Sequence, residues 1–288
     1  MAQTEGCVWL IGADSFTGHY LRPTLEVEGY RVDVTPVDIT SAAAVQSAML
    51  DIQPQYIINL AAISFVPDGA DATIYGVNCL GAENILAASL LLKQPPRRII
   101  LASSANIYGA QQQEVIDENC LPNPINHYGC SKWSMEQIAR TYADRLNITI
   151  TRPFNYTGRG QKEKFLVPKI VAHFQKKASS IELGNVDIWR DFSDVRWISR
   201  TYSQLLSAPG PELNIFNLCS GQLISIREII ATLENLSGHK VEIKVNPDFV
   251  RQADIVRQRG DNGRLVQRFE QLLAPPAFEE TLAWMLEA

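Results

Sequence analysis

The chain has 288 residues, 46% of them hydrophobic, and a formal net charge of −5 at pH 7. This size and composition can bury a full hydrophobic core in one large domain or two unequal ones, and they exclude a disordered chain. The mild acidity argues against nucleic acid or an anionic membrane as the main partner. No apolar run approaches the roughly 20 residues of a membrane span. The polar first residues lead straight into a strand, so we expect a cytoplasmic protein without a signal peptide.

Cysteine and histidine usage argues against disulfides and metals. The five cysteines are scattered and never spaced as Cys-x-x-Cys, which is typical of reduced thiols inside the cell. Cys130 lies near the candidate site described below, but no histidine partner accompanies it, so we interpret it as a bystander thiol. The four histidines lack metal-ligand spacing, and no metal is expected.

The first elements predict a nucleotide-binding turn. Residues 7–11 form a short apolar run typical of a buried strand, and a helix is predicted from about residue 17 to residue 28. Between them, Gly12 and Gly18 mark a turn that places backbone N–H groups and the positive end of a helix where a pyrophosphate could bind. Ser15 occupies the middle position of a Gly-x-x-Gly-x-x-Gly spacing and adds a side chain where the backbone normally approaches phosphate. Alone, such a motif does not establish a dinucleotide site.

Two further strands follow. A strand at residues 30–35 leads directly into a helix that begins near Ser41. An NAD site would carry Asp or Glu at the end of this strand and an NADP site a nearby Arg, and neither is evident. A third strand, at residues 54–62, runs into a turn of small residues that would let a dinucleotide approach closely. The apolar segment at residues 85–92 predicts a core or subunit-facing helix.

Residues 98–132 hold the candidate chemistry. An unbroken apolar run at residues 99–102 predicts a strand buried on both faces, with Ser104 just past its carboxyl end. After a polar loop, a helix is predicted from Tyr128. Lys132 lies one turn further along it, so both side chains point the same way. Such a pair also occurs on solvated helices, but here it follows a buried strand in a chain that opens with a nucleotide-binding turn.

These three side chains suit carbonyl chemistry. A free phenol has a pKa of about 10. A nearby ammonium group favours the phenolate, so we expect Lys132 to lower the pKa of Tyr128 toward the working range. Ser104 could donate a hydrogen bond to a carbonyl oxygen while Tyr128 delivers or removes the proton.

The order of elements predicts a parallel sheet. A strand with alternating branched residues is predicted at residues 147–153, and strands alternate with helices up to this point. Further along, Ser225 and Glu228 predict a capping box, and a closing helix is predicted at residues 278–286. Ligands of parallel sheets bind beyond the carboxyl ends of the strands. Four candidate residues fall there: Gly12, Ala62, Ser104 and Asn155.

The motif Ser103-Ser104-Ala105-Asn106-Ile107-Tyr108-Gly109, followed by Tyr128-x-x-x-Lys132, resembles the active-site motifs of the extended short-chain dehydrogenase/reductase family. The resemblance covers nearly the whole chain. It implies an α/β fold, with a Rossmann-type doubly wound parallel sheet and a smaller, mixed α/β substrate-binding domain. The dinucleotide-binding domain would comprise residues 1–157 and about 192–222, and the nucleotide-sugar-binding domain residues 158–191 and 223–288.

The resemblance also implies the roles of individual residues. Ser104 would polarise the substrate oxygen, Tyr128 would be the acid/base, and Lys132 would also hold the nicotinamide ribose. The implied cofactor is NADP(H) or NAD(H), with a lean to NADPH. Asn78 would either support the backbone near the site or contact the cofactor. The implied cofactor-binding positions are Gly12, Ser15, Phe16, Gly18, Asp38, Ile39, Leu60, Ala61, Ala62, Ser64, Asn78, Ser103, Tyr128, Lys132 and Phe154.

The last third of the chain resembles the nucleotide-sugar-modifying branch of the family, and most of all the reductases of GDP-4-keto-6-deoxy-D-mannose. Arg190 could hold a sugar-nucleotide pyrophosphate through its planar fork of donors. The alternative is a surface pairing of Arg190 with Asp191 or Asp194. The implied substrate-binding positions are Asn106, Asn155, Val167, Lys169, Asn185, Arg190, Arg251 and Asp254.

The chain departs from the pattern of its relatives next to Arg251, which the resemblance implies as a phosphate contact. Gln252 stands where relatives usually have proline, and Arg257 or Arg259 could supply the same charge.

One sequence position distinguishes dehydratases from reductases in this family. Dehydratases of this family carry a Glu two residues after the active-site Ser or Thr, where this chain has Asn106. An amide cannot take a proton from carbon, so we expect little dehydratase activity. The expected reaction is NAD(P)H-dependent reduction of a 4-keto-6-deoxy nucleotide sugar. A nucleotide-sugar 4-epimerase and a module that binds a dinucleotide without chemistry are the alternatives. Relatives pair the helices near Gly81 and Tyr128 with their copies, so we expect a homodimer.

Overall fold

The structure, a computed structural model, describes residues 6–64, 72–207, 213–249 and 256–287. Its strands are β1 (Cys7–Ile11), β2 (Arg31–Asp33), β3 (Tyr56–Asn59), β4 (Arg98–Ala102), β5 (Val115–Ile116), β6 (Ile148–Pro153), β7 (Asn155–Thr157), β8 (Ser180–Leu183), β9 (Trp189–Arg190), β10 (Phe192–Asp194), β11 (Asn214–Leu218), β12 (Ile224–Ser225), β13 (Glu242–Val245) and β14 (Arg257–Gly260).

The helices are α1 (Phe16–Val27), α2 (Ala42–Ile52), α3 (Thr73–Tyr75), α4 (Gly81–Ser89), α5 (His127–Arg140), α6 (Leu166–Gln175), α7 (Val195–Leu206), α8 (Ile226–Ser237), α9 (Gly263–Arg268) and α10 (Phe278–Leu286). A π-helical turn occupies Gly76–Leu80, and 3₁₀ turns occupy Ala105–Ile107 and Pro247–Phe249. Within the described ranges, none of the helices is long and apolar enough to cross a membrane.

The centre of the fold is a six-stranded sheet in the order β11-β6-β4-β3-β1-β2. Every neighbouring pair in it is parallel, which confirms the predicted parallel sheet. Such a sheet is covered by helices on both faces, so its strands need apolar side chains on both faces. The continuous apolar runs of β1 and β4 meet this requirement.

Side chains of the central strands alternate between two apolar layers. Trp9 and Leu101 belong to a cluster that includes residues of α2, α4 and α5. Leu10 and Ile100, their neighbours in sequence, belong to a cluster that includes residues of α1 and α7. The alternation follows from the two-residue period of a strand and fixes which helices cover each face.

β2 is shorter than predicted and ends at Asp33 rather than at residue 35. The Asp33 carboxylate accepts a hydrogen bond from the backbone N–H of Thr35 at 2.9 Å, and Trp9 Nε1 donates to the Thr35 carbonyl oxygen at 3.3 Å. These two bonds draw the chain out of the strand. The end of β2 therefore carries an acidic residue, which the longer predicted strand had hidden.

A second group of elements has a hydrophobic core of its own, formed by α6, α8 and α10 with β8 and β13. A four-stranded sheet in the order β12-β9-β14-β5 ties this group to the loop that follows β4. Ser225 and Glu228 form the predicted capping box. α10 has the predicted bounds. The division into two domains at the stated residues stays a prediction.

Candidate active site

The glycine turn after β1 packs directly against the chain that follows β3. Gly12 has φ +82°, and a Cβ atom there would lie 2.8 Å from the backbone nitrogen of Ala61. Glycine fits this position because it tolerates positive φ and has no Cβ. Leu60 and Ala61, two predicted cofactor positions, are partly buried beside the turn, and Ala62 and Ser64 are exposed beyond it.

Ser15 caps α1. Its Oγ accepts a hydrogen bond from the N–H of Gly18 at 3.0 Å, and its backbone is extended, with φ −72° and ψ 162°. The side chain that replaces the middle glycine is thus engaged by the helix, and the position does not require glycine. Tyr156, which was not among the predicted site residues, adjoins this turn. Its ring stacks on Phe16 with centroids 6.2 Å apart, and its hydroxyl lies 2.7 Å from Thr17 Oγ1.

These features fit a dinucleotide. The positive end of a 12-residue helix follows a turn in which Gly12 packs closely against the backbone of Ala61. Backbone N–H groups and the helix dipole at such a position attract the pyrophosphate. The structure therefore brings together the cofactor positions predicted at this turn, which are Gly12, Ser15, Phe16 and Gly18.

Two further predicted cofactor positions, Asp38 and Ile39, differ in exposure. The Asp38 carboxylate is exposed and accepts hydrogen bonds from Oγ1 and N of Thr40 at 2.7 and 2.9 Å, which lower its pKa. The Ile39 side chain is buried, and a Cβ atom at Gly81 would lie 2.5 Å from its Cδ1. Ile39 therefore packs against the start of α4, whereas Asp38 faces solvent.

Asn78 supports the backbone near the site. Its Oδ1 accepts from the N–H of Ile63 at 3.0 Å, and its Nδ2 donates to the carbonyl of Ile63 at 3.1 Å and to Ser131 Oγ at 2.9 Å. Ser131 Oγ in turn donates to the Tyr128 carbonyl at 2.8 Å. Of the two interpretations of Asn78, these contacts favour the supporting one, because the amide joins the turn after β3 to the first turn of α5.

Ser104 and Tyr128 meet at the carboxyl end of β4. Ser104 begins the 3₁₀ turn and is 6% exposed, and its hydroxyl lies near enough to Tyr128, in the first turn of α5, to lower the pKa of that phenol. Gly129 permits this approach, because a Cβ atom there would lie 2.6 Å from the carbonyl oxygen of Asn106. Asn126 caps α5 by accepting from the Gly129 N–H at 2.8 Å, so the helix begins one residue before the prediction.

Lys132 shares a helix face with Tyr128, but its ammonium group binds the strand. Nζ donates to the carbonyl oxygen of Ala102 at 2.6 Å, and the residue is 2% exposed. Burial lowers the pKa of Lys132 to about 8, against the raising effects of Cys79 and Glu136. Lys132 therefore anchors the end of β4, from which the chain continues to Ser104.

The expectation that Lys132 lowers the pKa of Tyr128 is wrong. Burial raises the pKa of Tyr128 to about 12, Tyr156 adds to the increase, and the hydroxyl of Ser104 opposes it. The helical spacing alone could not show that the ammonium group is directed to the Ala102 carbonyl. Tyr128 is consequently protonated at neutral pH, which is the form that an acid catalyst needs.

A buried ion pair between Glu136 and Arg152, which was not predicted from the sequence, lies next to the site. Arg152 binds both carboxylate oxygens of Glu136, at 3.0 and 2.6 Å, and Ser103 Oγ donates to Glu136 at 2.6 Å. Ser103, a predicted cofactor position, thus has its hydroxyl engaged inside the protein. Two signals were available. Glu136 lies one turn beyond Lys132, and a charged residue such as Arg152 inside an apolar strand needs a buried partner.

Phe154, another predicted cofactor position, is part of a small core. Its ring is 5% exposed and lies 6.3 Å from the ring of Tyr108. Its backbone N–H donates to the carbonyl of Leu218 at 2.9 Å. Phe154 therefore helps to join β6 to β11.

Of the predicted substrate positions, Lys169 packs against Phe249 in the second group of elements, and Asn185 follows a glycine that packs against the same residue. Lys169 Nζ lies 4.8 Å from the ring centre of Phe249. Gly184 packs against the backbone of the same residue, because a Cβ atom there would lie 2.4 Å from the Phe249 carbonyl oxygen, and Asn185 follows directly. Val167 is buried in the core of this group.

The proposed surface pairing of Arg190 with Asp191 or Asp194 is wrong. Both carboxylates are buried. Asp191 accepts hydrogen bonds from the N–H and hydroxyl of Ser220, and Asp194 binds Arg196. Arg190 itself donates through Nη1 to the carbonyl oxygen of its neighbour Trp189 at 2.9 Å.

Of the four other predicted substrate positions, two are exposed and two lie outside the described residues. Asn106 and Asn155 are exposed, and Nδ2 of Asn106 donates to Ser104 Oγ at 3.0 Å. Arg251 and Asp254 lie outside the described residues. Within the described ranges, no group of three or more His, Cys, Asp or Glu side chains could hold a metal ion.

Comparison with known proteins identifies relatives along most of the chain. The family model of GDP-mannose 4,6 dehydratase matches residues 15–270. GDP-6-deoxy-D-talose 4-dehydrogenase of Aggregatibacter actinomycetemcomitans is 38% identical over 269 residues, which cover 90% of this chain and 90% of that protein. GDP-6-deoxy-D-mannose reductase of Pseudomonas aeruginosa is 29% identical over 272 residues, covering 90% and 89%. The structure of RMD from Pseudomonas aeruginosa complexed with NADPH has a TM-score of 0.87 at 26% identity and covers 98% of both chains.

The family match includes the helix of the glycine turn, the strand that ends at Ser104, and the helix that carries Tyr128 and Lys132. The fold and the site thus agree with the sequence match. The chain belongs to the GDP-mannose 4,6 dehydratase family of extended short-chain dehydrogenases/reductases.

Proposed function

We propose that this protein is an NAD(P)H-dependent oxidoreductase that reduces the 4-keto group of a GDP-linked 4-keto-6-deoxyhexose, with NADPH preferred. Two relatives are named as a dehydrogenase and a reductase of GDP-linked 6-deoxyhexoses, which are opposite directions of one type of reaction. 6-Deoxytalose and 6-deoxymannose differ only in configuration at C4, so the face that receives the hydride decides between them. The preference for NADPH agrees with the NADPH complex of RMD.

The paired hydroxyl groups of Ser104 and Tyr128 carry the proposal. When bound, a nicotinamide dinucleotide supplies the hydride for the carbonyl carbon. Ser104 donates a hydrogen bond to the carbonyl oxygen, and Tyr128, protonated at neutral pH, delivers a proton to the same oxygen. Lys132 holds the end of β4, and with it Ser104, in place through the Ala102 carbonyl. Reduction needs no further acid or base.

Asn106 argues against dehydration, although the family takes its name from a dehydratase. Dehydration needs a group that removes a proton from the carbon next to the keto group. The side chain two residues after Ser104 is an amide, and an amide has no basic atom for that step. Its Nδ2 also binds Ser104 Oγ.

The test is turnover with NADPH or NADH against a panel of 4-keto-6-deoxy nucleotide sugars, with the C4 configuration of the product read by NMR. We expect one nicotinamide oxidised per product. A 4-epimerase would convert a sugar with no net change in nicotinamide absorbance, and a module without chemistry would bind NADPH and convert nothing. Tyr128→Phe should lower kcat by about 10²- to 10⁴-fold while NADPH binding persists. Full activity of Tyr128→Phe would refute the proposed role of Tyr128 as the acid.

The nucleotide part of the substrate would occupy the second group of elements. We assign its contacts to Lys169, Asn185 and Arg190, together with Asn155, Val167, Arg251 and Asp254. The support is that Lys169 and Gly184, the neighbour of Asn185 in sequence, both pack against Phe249. Arg190→Ala should raise KM for the nucleotide sugar with kcat little changed, because the guanidinium group would bind the ground state and the transition state alike.

The assembly we propose is a cytoplasmic homodimer that pairs through α4 and α5. Leu80, directly before α4, is 58% exposed, which suits a subunit contact. All five cysteines are free thiols, a state that the cytoplasm preserves. Light scattering should give twice the mass of the chain, and a monomer would refute the dimer.

A further inference from the structure

We infer that Asn106 is a positioning residue that makes the hydroxyl of Ser104 an obligate hydrogen-bond donor toward Tyr128 and the substrate oxygen. The inference rests on the proposed function and assigns the direction of one proton within it.

The hydrogen bonds at Ser104 Oγ fix that direction. A serine hydroxyl has one proton to donate and two lone pairs to accept with. The backbone N–H of Asn106 donates to Oγ at 3.2 Å, and Nδ2 of the same residue donates at 3.0 Å. Both lone pairs are therefore taken, and the single remaining capacity of Ser104 is its proton.

The remaining proton has a nearby acceptor. With both lone pairs of Ser104 Oγ occupied by Asn106, its proton is the part that can interact with the nearby phenol of Tyr128. The Ser104 hydroxyl lowers the pKa of Tyr128, which is the effect of a donor. In the reduction, the same proton can instead serve the carbonyl oxygen that Tyr128 protonates. In the reverse reaction, it stabilises the phenolate that forms on Tyr128.

Rigid packing holds Asn106 in this role. Ser104 and Asn106 flank the start of the 3₁₀ turn, and Gly129 of α5 packs against the Asn106 carbonyl, where a Cβ atom would lie only 2.6 Å away. The turn and the helix that carries Tyr128 therefore cannot shift independently. The amide itself is exposed and faces no competing partner in the described hydrogen bonds.

The direction of the Ser104 proton depends on whether the side chain at position 106 donates or accepts hydrogen bonds. An ionised carboxylate of the same shape has only acceptor oxygens. At position 106 it would take the proton of Ser104 and draw it away from Tyr128. Asn106→Asp should therefore be more harmful than Asn106→Ala, which leaves the backbone donor in place and one lone pair free. A purely structural role predicts the reverse order, because aspartate preserves the shape and alanine does not.

The first readout is steady-state reduction. Asn106→Asp should lower kcat by about 10²-fold and Asn106→Ala by about tenfold, with KM for the sugar nearly unchanged in both. Asn123→Asp, an exposed amide in the loop before α5, adds the same charge and should behave as the wild type. Activity of Asn106→Asp equal to or above that of Asn106→Ala would overturn the inference.

The second readout is the titration of Tyr128 in the cofactor-free protein, by NMR of ¹³C-labelled tyrosine, with Tyr128→Phe to assign the signal. Loss of the donated hydrogen bond should raise the pKa of Tyr128 in Asn106→Asp and leave it unchanged in Asn123→Asp. Among the described residues, the other titratable groups near Tyr128 are Lys132 on the same face of α5, Tyr156 of β7 and Tyr202 of α7. The two tyrosines are neutral across the working range because burial raises their pKa. Lys132 loses its charge as the pH rises through about 8, in the wild type and the variants alike. An unchanged titration in Asn106→Asp would also overturn the inference.

The two readouts separate this inference from the proposed function. If the wild type reduces none of the 4-keto sugars, the proposed function fails, and the titration still decides whether Asn106 directs the Ser104 proton. If the wild type is active and the two variants rank in the reverse order, the role of Asn106 fails and the reductase stands.

Discussion

Arg152 and Glu136 form a two-bond ion pair in the interior of the protein, with Nε 3.0 Å from Oε1 and Nη2 2.6 Å from Oε2. Both residues are buried, at 2% and 0% exposure. The pair joins β6 to α5, and the hydroxyl of Ser103 extends it to the end of β4. One ion pair therefore links the helix that carries Tyr128 to the strand that leads to Ser104.

Glu136→Gln should strongly destabilise the protein. The substitution leaves the guanidinium group of Arg152 buried without a counter-charge, and breaking a buried pair in this way costs about 3–5 kcal/mol. Urea denaturation followed by circular dichroism would measure the loss in the free energy of unfolding.

The matched control removes both charges at once. Glu136→Leu with Arg152→Met replaces the pair by apolar side chains and should be less destabilising than Glu136→Gln alone, because no isolated charge is left in the interior. The single variants Glu136→Leu and Arg152→Met complete the comparison. If the double variant loses as much free energy of unfolding as these two single variants together, the residues do not act as a pair.

The pH profile of reduction should report Lys132 rather than Tyr128. Burial lowers the pKa of Lys132 to about 8, so its ammonium group loses its proton as the pH rises through that value. Tyr128, with a pKa of about 12, stays protonated throughout this range. We therefore expect kcat/KM to fall above a pH of about 8, since this parameter follows the ionisation of the free enzyme.

Lys132→Arg tests that assignment. A guanidinium group stays charged at every accessible pH. The variant should be slower, because its fork of donors does not match the single bond of Nζ to the Ala102 carbonyl, but its profile should be flat above pH 8. A decline that persists unchanged in Lys132→Arg would contradict the assignment to Lys132.

Much of the sheet was predictable because two of its central strands are largely apolar. β1 and residues 99–102 of β4 are continuous hydrophobic runs followed by glycine or serine, and that pattern identifies strands covered on both faces. The two-residue strands β5, β9 and β12 were not predictable, because two residues are too short to show a period. Their sheet depends on contacts between segments far apart in the sequence. The bonds of Thr35 that shorten β2 are likewise tertiary.

The residues of the candidate site could be predicted from the sequence, but the pKa shifts and ionic partners of those residues could not. Spacing placed Tyr128 and Lys132 on one helix face, and the structure agrees. The partner of Lys132 and the direction of the Tyr128 pKa shift depend on burial and on the Ala102 carbonyl, which helical spacing does not reveal. From the sequence, Glu136 could be predicted only as the next residue on that helix face, because its partner Arg152 lies on another element.

Ser15 should matter for stability and little for cofactor affinity. Its Oγ satisfies the N–H of Gly18 at the start of α1, so Ser15→Ala should lower the free energy of unfolding by about 1 kcal/mol, as loss of a helix cap does. Ser15→Gly should lower it by only a few tenths of a kcal/mol. Because the side chain is engaged by the helix, Ser15→Gly should leave the Kd for NADPH within about twofold of the wild type. Fluorescence titration would measure this Kd. A much tighter complex in Ser15→Gly would mean that the serine obstructs the pyrophosphate.

Asp33 should oppose, and so limit, the proposed preference for NADPH over NADH. An acid at the end of the second Rossmann strand accepts the ribose 2′-hydroxyl of NAD and repels the 2′-phosphate of NADP. The structure places Asp33 at that position. Asp33→Asn removes the charge and keeps an oxygen that can still accept the N–H of Thr35. The ratio of kcat/KM for NADPH to that for NADH should rise by about five- to tenfold, the effect of one unfavourable charge pair in a solvated site. The control is Asp51→Asn, an exposed carboxylate on α2, which should leave the ratio unchanged. A ratio that stays constant in Asp33→Asn, or that moves toward NADH, would show that the 2′-position is read by other residues.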